Sequence, residues 1–154
     1  MMFIADRTLG KLVKYLRMLG YDTICYKQKN NDELIRVAEE QGRLLLTRKV
    51  RLKAKTPGKC IFHITQDNPK KQLDEVLNYY HLSPNTDSFF ARCLICNEEL
   101  TAIPKEDAEG KVPEYILKSY ITFFLCPVCK RIFWPGSHYE RMMKGFIHSN
   151  CQRH

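Results

Sequence analysis

The sequence predicts an α/β protein: a mainly parallel sheet flanked by helices, with a smaller cysteine-bearing unit after it. Three observations carry this expectation. Short apolar runs alternate with helical periodicity up to about residue 80. A polar, proline-containing stretch follows. Beyond it, four of the seven cysteines fall in two Cys-x-x-Cys pairs.

The elements follow in order. Met2–Ala5 is the first strand. Leu9, Leu12, Val13, Leu16 and Leu19 recur at helical spacing, and Gly20 is placed to end that helix. Thr23–Tyr26 is the second strand. Asn31–Gln41 is the second helix, with Leu34, Val37 and Ala38 on one face and Gly42 as its stop. Arg43–Thr47 and Cys60–Thr65 are strands three and four, and Pro69–Tyr80 is a third helix that turns Leu73, Val76, Leu77 and Tyr80 inward. The order βαβαββα favours parallel strands covered on both faces. Leu82–Ser88 reads as a linker, which places one domain at 1–88 and a second at 89–154.

The composition is that of a folded chain and not a disordered one. No apolar run approaches the roughly 20 residues of a membrane span. The N-terminus lacks the pattern of a secretory signal, so the expected setting is intracellular and cytoplasmic, with no membrane partner. The net charge of +8 is uneven: residues 1–90 carry 16 Lys/Arg against 10 Asp/Glu, and residues 91–154 carry 9 against 7. A basic surface attracts polyanions, nucleic acid above all.

An odd cysteine count with two Cys-x-x-Cys pairs points to metal, not to a disulfide framework. Cys93, Cys96, Cys126 and Cys129 would give four thiolates, the set that tetrahedral zinc favours, and four thiolates leave no open position for chemistry. The expectation is a structural zinc. Cys25 and Cys60 fall in strands and read as core, and Cys151 reads as a free thiol in the tail.

In a parallel sheet, ligands bind at the edge formed by the strand C-termini. This chain places Asp6 after strand one, Asp32 and Glu33 where the second helix begins, Thr47, Arg48 and Lys49 after strand three, and Asp67 after strand four. Carboxylates converging from several strand ends suit Mg²⁺ or Mn²⁺, which take oxygen ligands and activate water for phosphodiester cleavage. Each acid also has a plainer role: Asp32 and Glu33 suit a helix N-terminus, and Asp67 could cap the helix that begins at Pro69. Asp22 starts strand two at the opposite edge, where a turn hydrogen bond after Gly20 is its expected role. The run Arg48, Lys49, Arg51, Lys53 and Lys55 reads as a phosphate grip.

Taken together, FIADRTLGKLVKYLRMLGYDT, NDELIRVAEEQGRLLLTR, RCLICNEEL and CPVCKRIFWPGSHYERM resemble the Mut-seven C-terminal ribonuclease-domain family, over about Phe3 to Met142. The resemblance implies a PIN-like nuclease domain with a C-terminal zinc ribbon. It also implies hydrolysis of single-stranded RNA by a divalent metal held on acids at the strand ends. By position, Asp6 matches the acid after strand one, Asp32 the acid opening the second helix with Glu33 beside it, and Thr47 the polar residue ending strand three. The family motif there usually reads Thr-Arg-Asp, whereas this chain has Thr47-Arg48-Lys49. An ammonium in place of an acidic ligand weakens a magnesium site.

Three functions therefore stand side by side: a Mg- or Mn-dependent endoribonuclease using Asp6, Asp32, Glu33 and Asp67; a non-catalytic RNA-binding module on the same fold, gripping RNA through Thr47, Arg48, Lys49, Arg51, Lys53 and Lys55; and a zinc-stabilised protein-interaction adaptor. In the tail, Trp134 is expected to join a core, while His138, Tyr139 and Arg141 fit either packing or RNA contact. The sequence gives no oligomeric state.

Overall fold

A computed structural model describes residues 1–54, 61–137, 139–141 and 144, with the backbone alone for Thr86. Lys55, Cys60, His138 and Cys151, each given a role above, lie outside the described residues. The chain divides into two compact units, Met1–Asn97 and Glu98–His154.

In the first unit, β1 (Met2–Asp6) leads through a 3-10 turn (Arg7–Leu9) into α1 (Gly10–Met18). β2 (Asp22–Tyr26), α2 (Asn31–Glu40), β3 (Leu44–Thr47), β4 (Ile61–His63) and α3 (Pro69–Tyr79) follow. The sheet order is β2-β1-β3-β4, and every pairing is parallel. The expected order of elements is thus present, with bounds shifted by a few residues at most.

The period of two along β1 divides the core. Ile4 joins Leu34, Ile35, Ala38, Leu45 and Leu52 beneath α2. Phe3 makes ring contacts with Tyr21 and Tyr80, and α1 and α3 pack against each other. Leu12, Leu16, Leu73 and Val76 are fully buried.

The helix ends follow local chemistry. Asn30 caps α2 by accepting from the Glu33 amide, and Asn68 caps α3 by accepting from the amides of Lys70 and Lys71. Asp67 is therefore not the cap. Proline occupies the first helical position, so the cap must be the residue immediately before it. Gly20 ends α1 at φ 90°, and a side chain there would overlap the Ser88 carbonyl oxygen. Leu82–Ser88, expected as a linker, ends in a 3-10 turn (Thr86–Ser88), and Phe89 and Phe90 beyond it are buried. The Phe90 amide donates to the Met18 carbonyl at 3.2 Å.

The second unit carries an antiparallel sheet of β5 (Thr101–Ile103), β6 (Phe123–Leu125) and β7 (Ile132–Phe133), in that order. Two short helices, α4 (Lys105–Ala108) and α5 (Glu114–Ser119), lie between β5 and β6 in sequence. Ala108, Ile116 and Phe123 form its core. Trp134 packs against them with Tyr120 and Ile132, as expected of a lone tryptophan after a strand. Among the described residues, no helix is long and apolar enough to cross a membrane.

Candidate functional site

Asp6 ends β1 and is 1% exposed. Both of its carboxylate oxygens are held. Oδ1 accepts from the Thr8 amide at 2.9 Å and the Thr8 hydroxyl at 2.5 Å; Oδ2 accepts from the Thr47 hydroxyl at 2.6 Å and the Arg48 amide at 3.3 Å. Burial pushes this carboxyl up, but the bonds from Thr47, Thr8 and the Arg48 amide outweigh it, and the net displacement is below the ordinary range. Asp6 is an ionised buried carboxylate stabilised by neutral donors.

Thr47, expected among the RNA-contacting residues, is fully buried, so the present arrangement keeps it from a ligand. Its hydroxyl donates to Asp6 and accepts from the Lys49 amide at 3.0 Å. The other acids are dispersed. Asp32 is exposed in the first turn of α2, and Glu33 Oε2 accepts from the Tyr26 hydroxyl at 2.7 Å. Asp67 is paired with Arg48. Among the described residues, Asp6, Asp32, Glu33 and Asp67 do not gather into a set with metal-ligand spacing.

The basic loop is fixed by a residue that the sequence reading passed over. Leu52 is buried beneath α2, and its amide donates to the Lys49 carbonyl at 3.0 Å. Arg48, Arg51 and Lys53 are exposed around that pin, and Lys49 Nζ donates to Asn31 Oδ1 at 2.6 Å.

The opposite edge of the sheet holds a different network. Asp22 accepts from Arg43 Nη1 at 2.7 Å and from Asn97 Nδ2 at 2.7 Å, and Arg92 approaches it at 3.9 Å. This corrects the expected turn hydrogen bond. Burial raises the Asp22 carboxyl, and the bonds from Arg43 and Asn97 more than reverse that. Asn97 Oδ1 accepts from the Thr23 amide at 3.0 Å. Arg17, on α1 and 7% exposed, donates from Nε to the Thr23 carbonyl at 2.9 Å and from Nη1 to the Leu94 and Ile95 carbonyls at 3.0 Å each. A sequence signal for Arg17 existed: it stands four residues after the buried Val13, on the apolar face of α1.

The sulfurs of Cys93, Cys96, Cys126 and Cys129 all lie within 4.8 Å of one another. Tetrahedral zinc with bonds of about 2.3 Å needs sulfurs about 3.8 Å apart, so the donor set fits. The two pairs share the same closing turn, but the amide that faces the sulfur lies two residues on in the first and three residues on in the second. The Ile95 amide donates to Cys93 Sγ at 3.4 Å, and the Cys129 amide donates to Cys126 Sγ at 3.4 Å. The next residues, Asn97 and Lys130, close each turn with amide bonds of 3.0 Å to the carbonyls of Cys93 and Cys126, at φ 69° and 62°. Cys25 is a half-buried free thiol in β2.

No curated protein and no solved structure matches the chain. The family model described as the Mut7-C RNAse domain does match, over residues 1–146. With nearly its whole length covered, this chain belongs to the Mut7-C RNAse domain family.

Proposed function

We propose that this protein is a cytoplasmic ribonuclease that grips single-stranded RNA on the 48–53 loop and cleaves it beside Asp6. The observation that carries this reading is the pairing of an ionised, buried carboxylate at the end of β1 with a loop that begins at the Arg48 amide bonded to it and exposes Arg48, Arg51 and Lys53. Membership of an RNAse-domain family supports the reaction class. Arg48, Lys49, Arg51 and Lys53 take the phosphate backbone. Arg48 is readily released to do so, because its partner Asp67 is 87% exposed and such pairs contribute little. Thr47 and Thr8 act on Asp6, fixing its orientation and keeping it charged.

Asp6, Asp32, Glu33 and Asp67 are the acids that a Mg²⁺ or Mn²⁺ ion would have to draw together; as arranged they make no set that fits one, and such an ion, if bound, would polarise water and neutralise phosphate charge. A second reading, RNA binding without cleavage, is favoured by two observations. Each Asp6 oxygen already accepts two hydrogen bonds, and Lys49, which stands in the position of an acid, donates to Asn31 at the start of α2.

Labelled single-stranded RNA incubated with Mg²⁺ or Mn²⁺ separates the readings. Cleavage by the wild type that Asp6→Asn abolishes supports the enzyme. A silent wild type with activity in Lys49→Asp supports a gripping module that lost its cut. Absence of salt-dependent RNA binding in all three proteins defeats both readings and leaves the zinc-stabilised adaptor.

A further inference from the structure

We infer that Arg17 is a positioning residue for the cysteine metal centre, holding the Cys93–Cys96 turn so that its peptide dipole faces the thiolate. In a trans peptide the carbonyl and the amide point in opposite directions. The unit joining Leu94 to Ile95 is gripped at both ends. Its carbonyl accepts from Arg17 Nη1 at 3.0 Å, and its amide donates to Cys93 Sγ at 3.4 Å. The same Nη1 takes the Ile95 carbonyl, and Nε takes the Thr23 carbonyl on β2. One guanidinium thereby ties the turn to the parallel sheet by three hydrogen bonds.

Charge argues the same way. Arg17 is 7% exposed, and its three hydrogen bonds go to neutral carbonyls. A buried cation needs a counter-charge. Four thiolates around one Zn²⁺ carry two net negative charges, and the turn that Arg17 grips supplies two of those thiolates, Cys93 and Cys96. Groups that orient metal ligands from outside the coordination sphere commonly alter affinity 10–100-fold. A planar guanidinium fixes the directions of its donors and so the carbonyls they hold, whereas the three donors of an ammonium rotate on a flexible stem.

The test uses the full zinc-loaded chain and three variants: Arg17→Met, Arg17→Lys and, as a destabilised control remote from the turn, Leu34→Ala. Zinc transfer to a chromogenic chelator should be at least about tenfold faster in Arg17→Met, intermediate in Arg17→Lys, and near wild type in Leu34→Ala. With ¹¹³Cd in place of zinc, the coupling between the metal and the Ile95 amide proton should be present in the wild type and in Leu34→Ala, and lost in both Arg17 variants. If Arg17→Met does not fold, Arg17→Lys decides by the same two readings. Wild-type zinc transfer in the Arg17 variants, equal acceleration by Leu34→Ala, or a retained coupling in the Arg17 variants would overturn the inference.

Discussion

At the C-terminal edge of the parallel sheet the buried charge is a carboxylate; at the N-terminal edge it is a guanidinium. Asp6 is satisfied by hydroxyls and amides from Thr8, Thr47 and Arg48, and none of its hydrogen bonds comes from a cationic side chain. The cations nearby, Arg48, Arg51 and Lys53, face solvent. At the other edge Arg17 is turned onto carbonyls, and Arg43 and Arg92 onto Asp22. Two edges with similar numbers of basic residues thus differ in what they leave available. Net charge counts cations, but a cation held on buried acceptors is not available to a phosphate, whereas Arg48 is held only by the exposed Asp67. The surplus in residues 1–90 overstates the grip by Arg17, which is committed to neutral carbonyls, while Arg43 is already offset in that count by Asp22.

The largest effect is expected from Asp6→Ala, which leaves four donors without their acceptor and should lower stability by about 3–4 kcal/mol in urea titration. Its pH dependence has a fixed sign. The folded carboxyl titrates below the ordinary aspartate range, so its stabilisation is complete above the unfolded value and is lost as pH falls through the folded value. The gap between wild type and Asp6→Asn should be constant near neutrality and shrink below about pH 4. A constant gap at pH 3 would mean that Asp6 stabilises through shape and not charge.

Next in size is Asp22→Ala, which removes the carboxylate from Arg43, whose side chain is 10% exposed. A loss of about 2–3 kcal/mol is expected, smaller than for a fully buried pair because Asp22 keeps 21% of its own exposure. Leu52→Ala should cost about 2 kcal/mol, measured by thermal unfolding, since the site lies at the rim of its core and can partly collapse. Smallest in stability is the exposed pair change Arg51→Ala with Lys53→Ala, within about 0.5 kcal/mol. That double variant should nevertheless reduce the salt slope of RNA binding by about 1.4, two single-strand phosphate contacts. An unchanged slope would remove the loop from the interface.

Much of this contrast was legible in the sequence, and its limits are physical. The alternation of MFIAD and LLLT with helical spacing was enough to order the parallel strands, because burial on both faces leaves few other solutions. Asp6 stood out because a carboxylate directly after an apolar strand demands partners. The partners themselves were less visible. Arg17 bonds to backbone carbonyls 77 and 78 residues away, and carbonyls carry no residue identity. Thr47 was read as a surface contact because strand ends are usually open, yet the pleat turns it inward onto Asp6. The choice of Asn68 over Asp67 as a cap was available from Pro69 alone.

Leu52 has a thermodynamic consequence for whatever the basic loop receives. An unpinned loop must lose conformational entropy as it closes on a ligand, about 1–2 kcal/mol for each residue ordered. By burying one leucine among Ile4, Leu34 and Leu45, the segment around it meets that loss during folding. Binding then begins from a preorganised surface, and more of the electrostatic attraction is left to appear as affinity.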